Sequence, residues 1–354
     1  MDEALLIDDE ESFSPPQPVD SPMPQTSGAG YHAPVLLEEC MQALALKPHG
    51  TYIDCTVGGG GHFQAIIDRL DSTGTAVGID RDPEALAWCD THLRRQSATV
   101  ALRQRRFSRF FEVLDELGID GIDGMLLDLG MSSHQITAGH RGFSYMRETP
   151  LDMRMNPSDS QSASDILADA PASDLARIFS EYGEVHHPLR MAETIVRYRV
   201  RHPLRTSEDL KECLRQEYGP SLNIKMLAKL FQSLRIAVND ELSELRRCLE
   251  AGAGLLKQGG RLAVISYHSL EDRIVKNFMR DEERSCSCPP AAPICICGKK
   301  PMLKRITRKV IVPTSVELGA NPASRSARLR VAEKITPFII KPQTEGQVHA
   351  KPKQ

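Results

Sequence analysis

The sequence predicts an α/β fold built on a parallel sheet, and three observations predict it. Short apolar runs alternate with helix-length segments from Thr51 to Gly130, the pattern of strands joined by crossover helices. One such run, starting at Tyr52, leads into four consecutive glycines, Gly58 to Gly61. A second run, Gly78-Ile-Asp80, closes on an acid. Glycine lacks Cβ and lets backbone approach a ligand closely, while an acid ending the second strand can accept hydrogen bonds from ribose hydroxyls. The stretch therefore reads as a nucleoside-cofactor site.

Composition sets the bounds. The 354 residues, 41 % of them hydrophobic, suffice for one large or two modest domains. No apolar run is long enough for a transmembrane helix. The N-terminus has neither a basic start nor an apolar signal core, so a cytoplasmic chain is expected. Net charge is −3, but residues 1–29 carry seven acids and no Lys or Arg, which leaves +4 for the remainder. A mildly basic body permits a nucleic-acid partner without demanding one.

The elements follow in order. Residues 1–29, acidic and rich in Pro and Ser, read as a disordered tail. Pro34 stands near the start of an amphipathic helix running to Leu44. The strand–glycine–helix–strand unit fills 51–80. Asp82 and Pro83 open the next helix as N-cap and first residue. Thr99–Leu102 predicts a third strand, and Phe107 and Phe110 lead into a helix ending at Gly118. Gly124–Asp128 predicts a fourth, buried strand.

After Gly130 the character changes. Residues 131–160 are polar and loop-like, and helices are predicted at Ala163–Leu167, Ala172–Glu181, Leu189–Arg199, Ser207–Arg215 and Ala228–Leu249. Thr206-Ser-Glu-Asp209 resembles a capping box. Gly259–Ser266 returns to strand, followed by a helix through Met279. Val310–Pro313 and Arg328–Ala332 predict edge strands. The expected organisation is a discontinuous α/β domain, 30–135 and 251–340, interrupted by a helical domain, 136–250, with a loose tail at 341–354.

The cofactor can be narrowed from the glycine run. A pyrophosphate needs the G-x-G-x-x-G spacing that opens a helix N-terminus to anionic oxygens. Here His62 follows four glycines and no third spaced glycine appears. There is no P-loop Lys-Ser/Thr either. S-adenosylmethionine, an adenosine carrying an amino-acid end, fits better than NAD. Asp80 is the candidate for the ribose hydroxyls, Asp54 for the cofactor's amino group or for holding the turn, and Phe107 for the adenine face or the core. Asp128 ends the fourth strand, so it and the loop Leu129–Gln135 face the same crevice, because ligands of open α/β sheets bind beyond the strands' carboxyl ends.

These residues sit in blocks that resemble the ribosomal RNA small-subunit methyltransferase H (MraW) family. The blocks are His32-Ala-Pro-Val-Leu-Leu-Glu38, Gly58–His62, Ile79-Asp-Arg-Asp-Pro83, Leu127-Asp-Leu-Gly130 with Ser132-Ser133, and Arg141-Gly-Phe-Ser144. They continue as Pro150-Leu-Asp-Met-Arg-Met155, Tyr182-Gly-Glu184, Ile236-Ala-Val-Asn-Asp-Glu-Leu242, His268–Lys276, and Asn321-Pro with Arg325-Ser326. The resemblance runs from about His32 to Lys334. It implies a Rossmann-like class I methyltransferase sheet with an inserted all-helical subdomain. It also implies methyl transfer from S-adenosylmethionine to the exocyclic amino nitrogen (N4) of a cytidine in the decoding region of 16S rRNA. Carried over by position, the cofactor contacts are Gly60, Gly61, His62, Asp80, Phe107, Asp128 and Gln135.

The chain departs from the family at Cys55 and Val57, where Gly and Phe are usual. It departs again at Met226–Leu230, where Lys229 stands in place of an Arg. For the chemistry, Asp128 is the first candidate to accept the amino N–H, with Ser132, Ser133 and His134 to orient the base, and Asp152 and Arg154 as further candidates. Two basic runs, Arg94–Arg109 and Lys299–Lys309, are candidates for phosphate contact, or for ordinary solvated faces. The partner expected is 16S rRNA, within the small ribosomal subunit. The rival readings are a methyltransferase for another RNA or DNA amino group, an NAD-dependent oxidoreductase, and a non-catalytic RNA-binding assembly factor.

Cys286-x-Cys288 and Cys295-x-Cys297 remain. Four thiolates can hold zinc tetrahedrally, but C-x-C is less typical of zinc than C-x2-C. No metal is assigned on sequence, and reduced or redox-active loop thiols are the other reading.

Overall fold

A computed structural model of the chain describes residues 34–94, 98–288, 294 and 296–337. The expected tails, 1–29 and 341–354, lie outside these residues, as do Arg95 and Cys295.

The chain runs α1 (Leu37–Leu44), β1 (Thr51–Asp54), α2 (Gly61–Ile67), β2 (Thr75–Asp80), α3 (Pro83–His92), β3 (Thr99–Gln104), α4 (Phe110–Glu116) and β4 (Ile122–Asp128). Helices α5 (Ser133–Thr137), α6 (Ala163–Asp169), α7 (Ala172–Gly183), α8 (Pro188–Arg199), α9 (Ser207–Tyr218), α10 (Ile224–Asn239) and α11 (Glu241–Leu255) follow. The chain then forms β5 (Leu256–Ser266), α12 (Ser269–Glu283), β6 (Leu303–Arg305), α13 (Ser315–Ala320) and β7 (Arg328–Lys334). The seven strands form one sheet in the order β3-β2-β1-β4-β5-β7-β6. Strands β1 to β5 are parallel, and β7 is antiparallel to both β5 and β6. This is the expected Rossmann-like α/β sheet.

Local chemistry explains the elements that border the crevice. Asp82 caps α3 by accepting from the Glu84 amide, with Pro83 at the first position. Gly60 enters α2 with φ +84°, and a Cβ there would come 3.0 Å from the Cys89 sulfur. At Gly61 a Cβ would come 2.9 Å from Pro34 Cγ. Both positions therefore require glycine, for conformation at Gly60 and for close packing at Gly61. The central strands are buried on both faces, which accounts for their nearly continuous apolar runs.

Two apolar clusters flank the sheet and a third is helical. The helical one gathers Phe143, Met153, Leu175, Phe179, Ile195, Leu214 and Leu234 among others. The predicted helix Ala228–Leu249 is two helices, because Asp240 adopts a left-handed conformation (φ 51°) between α10 and α11. After the break, Leu245, Cys248 and Leu249 pack into the sheet's core. Residues 241–250, expected in the helical insert, thus pack with the sheet. The predicted strand at Val310–Pro313 is replaced by Leu303–Arg305; only Ile311 of the former makes an isolated bridge, to Leu329. A three-residue strand carries no readable period.

Candidate active site

The carboxyl ends of β2, β1 and β4 lie side by side, and each ends on an acid: Asp80, Asp54 and Asp128. The glycine turn after β1 is threaded between them. Asp80 accepts from the Gly58 amide (2.8 Å) with one oxygen and from the Asp82 amide (2.9 Å) with the other. Gly58, at φ +50°, faces Ser132: a Cβ there would lie 3.9 Å from the Ser132 Cβ. Asp54 is fully buried and accepts from the Thr56 amide, while Thr56 Oγ1 accepts from the Asp128 amide (2.7 Å). One turn thereby registers all three strand ends.

Asp128 is held differently. Tyr267, the residue after β5, donates its hydroxyl to Asp128 Oδ1 (2.8 Å). His62 Nδ1 faces Asp128 Oδ2 at 3.6 Å. The other ring nitrogen, Nε2, lies 2.9 Å from the Val35 carbonyl oxygen. A carbonyl only accepts, so Nε2 carries the hydrogen, and in the neutral ring Nδ1 presents a lone pair to the carboxyl group. A proton between Nδ1 and Oδ2 makes this contact favourable.

The electrostatics agree. Burial raises Asp128 to about 7, against the opposing Tyr267 hydrogen bond. Burial also raises Asp54 to about 7 and Asp80 to about 6. Burial depresses His62. Burial and then the Asp128 charge push Tyr267 well up. A crevice of three clustered carboxyl groups disfavours an anionic ligand and suits a cationic one. The basic side chains beside it are already engaged. Arg81 bonds the Asn239 carbonyl and Asp159, and Arg141 bridges Asp82 and Glu84.

The remaining sequence candidates fall into distinct environments. Ser132 caps α5 and shares a capping box with Gln135. Gln135 is buried and donates to Asp82 Oδ2 (2.8 Å), which ties the loop after β4 to the end of β2. Ser133 begins α5. His134 pairs with Glu84 (2.7 Å). Phe107 packs, half-buried, against the sheet's core just past β3. Asp152 and Arg154 satisfy each other through a two-bond fork, 2.9 and 2.7 Å. Lys229 donates to the Glu184 carbonyl.

The first basic run is laced to carboxylates: Arg94 to Asp68, Arg105 to Glu116, Arg109 to Glu112, and Arg106 to Asp159 and Glu244. In the second, Lys299 and Arg305 pair with Glu282 and Glu283, whereas Lys300, Lys304, Arg308 and Lys309 are exposed. Strand β6 runs parallel to β1–β5, so Arg308 and Lys309 follow it at the crevice edge of the sheet.

Sequence reasoning passed over three residues. Tyr267 was legible by the same strand-end rule that singled out Asp128. Arg141, buried on Asp82, also donates to the Met155 carbonyl. Asn239 is fully buried, donates to the Met153 carbonyl and accepts from the Met155 amide. Arg141 and Asn239 fasten the helical part to the crevice rim, and no local spacing signals them.

Residues 29–335 match the MraW methylase family. The chain belongs to that family. Relatives within it include the ribosomal RNA small subunit methyltransferase H of Heliobacterium mobile, 48 % identical over 314 residues, covering 86 % of this chain and 99 % of the relative. The protein of that name from Geotalea uraniireducens is 46 % identical over 308 residues, with the same coverage. The family match spans both the sheet and the helical part, so the crevice and the rim residues fall inside it. Among the described residues no helix is long and apolar enough to cross a membrane.

Proposed function

We propose that this methylase-family chain transfers a methyl group from S-adenosylmethionine to the exocyclic amino nitrogen (N4) of a cytidine in the decoding region of 16S rRNA. The observation that carries the reading is the acidic crevice. Its three carboxyl groups surround a glycine turn that supplies backbone and no cation, which fits a ligand bearing a sulfonium and an ammonium and no phosphate. The relatives' name, with its small-subunit rRNA, supports the substrate.

Gly60, Gly61, His62, Asp80, Phe107, Asp128 and Gln135 would hold the cofactor, with Asp80 on the ribose and Phe107 beside the adenine. S-adenosylmethionine supplies an electrophilic methyl. The protein's task is then to make a poor nucleophile competent, since the cytosine amino lone pair is delocalised into the ring. An acceptor on its N–H bonds favours the pyramidal nitrogen of the transition state. Asp128 Oδ2 is that acceptor, with Oδ1 fixed by Tyr267. His62 Nδ1, facing Oδ2, is next in line for the proton. Ser132 and Ser133 orient the base, which must be single-stranded or flipped. Arg308 and Lys309 offer cationic surface for the RNA backbone.

The test is incubation with methyl-labelled S-adenosylmethionine and either free 16S rRNA or assembled small subunits. Label on a cytidine N4 is expected. RRNA that stays unlabelled in both arms would sink the reading.

A further inference from the structure

We propose that Cys286, Cys288 and Cys297 bind a zinc ion just beyond the far end of α12. The ligand atoms of these three residues lie within 4.8 Å of one another. The Cys297 and Cys286 sulfurs are 3.8 Å apart. A disulfide would need about 2.05 Å, whereas Zn–S bonds of about 2.3 Å in a tetrahedron place neighbouring sulfurs about 3.8 Å apart. The thiols are already spaced as ligands around one centre.

Backbone geometry points the same way. The Ser287 amide donates to the Cys297 sulfur (3.3 Å), and the Cys288 amide donates to the Cys286 sulfur (3.3 Å). N–H groups aimed at sulfur stabilise the thiolate, the form a metal requires. Gly298, directly after Cys297, takes φ +59° with open space around it, so the chain turns sharply at the ligand. Among the described residues here, Ile294 and Ile296 are not buried in any core, at 74 % and 89 % exposed. The three described thiols leave the fourth tetrahedral position to another donor.

The site is separate from the crevice. Helix α12 starts at the carboxyl edge of the sheet and carries the chain 15 residues away, on the order of 22 Å. The cysteines follow its far end. Zinc there is structural, and methyl transfer does not use it.

The full-length chain, purified under reducing conditions, should contain about one zinc per molecule by plasma mass spectrometry. In the double variant Cys286→Ser with Cys297→Ser, zinc should fall to background while S-adenosylmethionine binding persists. Cobalt(II) added to metal-free, reduced wild-type protein should give a thiolate-to-cobalt charge-transfer band, a readout that needs no variant to fold. Absence of both zinc and the cobalt band overturns the proposal. So does zinc that stays with the double variant, since it would then sit elsewhere, for instance among buried Glu241, His268 and Glu271.

Discussion

Asp80 and Asp128 are the same residue type at the same place, the carboxyl end of a central parallel strand, yet the fold prepares them for different work. Asp80 has both oxygens bonded by backbone amides, those of Gly58 and Asp82. Backbone amides neither titrate nor move independently of the chain, so Asp80 ties the glycine loop to the residues that follow β2. Asp128 has side-chain partners, Tyr267 and His62. A phenol and an imidazole can shift a proton equilibrium. Under the proposed function the first end of the crevice would hold the cofactor, and the second would manage a proton.

Exchanging the two roles should give separable defects. Asp128→Ala should show the largest effect, a loss of roughly 10²–10³-fold in single-turnover rate at saturating cofactor. Asp128→Asn, which keeps an acceptor oxygen, should lose less. If Asp128→Ala instead lost cofactor affinity with an unchanged rate, the contrast between the two ends would collapse. Asp80→Ala removes one charge-assisted bond to the glycine turn, from the Gly58 amide, and one to the Asp82 amide, and should weaken cofactor binding by roughly 10–100-fold, with the rate at saturation much less affected. Calorimetry and rapid quench separate the two outcomes.

Proton uptake sharpens the comparison. Asp80 is raised to about 6 and Asp128 to about 7, so both carboxyls shed protons as pH climbs through that range. A cationic cofactor favours the ionised forms. Its affinity should therefore rise with pH across this window, by up to about tenfold per pH unit for each coupled proton, and titrations at several pH values would show it. Flat affinity would mean that neither carboxyl senses the cofactor charge. Tyr267→Phe should be milder. Loss of its hydrogen bond, which lowers Asp128, raises that carboxyl further and moves the acid limb of the pH–rate profile upward. Cofactor affinity at high pH should hold.

The smallest effect concerns folding. Burial raises Asp54 from 3.8 to about 7, so between these values the folded chain keeps a proton that the unfolded chain releases. This group's contribution makes stability fall as pH rises through the window. Asp54→Asn cannot titrate, so its melting temperature should drop less than the wild type's over the same pH range.

Part of this was legible in the residues. The apolar runs, the glycines and Asp82-Pro83 fixed β1 to β4 and the start of α3, because strand burial and helix capping are decided by neighbours a few positions apart. The crevice acids were legible too, since each ends a strand. Roles assigned by contact were not. Gln135 is singled out only by the family resemblance, and its bond to Asp82, 53 residues away, is made by the fold. The arginine run Arg103–Arg109 reads as cationic surface until Glu112, Glu116, Asp159 and Glu244 fold against it. The break at Asp240 hides inside a continuous helical pattern, and packing of Leu245 and Leu249 against the sheet imposes it.

By itself, then, the sequence determined the parallel sheet, the glycine turn and the place of the acids, all written in local periodicity and turn chemistry. Tertiary structure alone decided what each acid touches. Only the assembled sheet sets Tyr267 and His62 on Asp128, residues 139 and 66 positions from it. Burial, rather than residue type, moves its carboxyl to about 7 against the pull of the Tyr267 hydrogen bond.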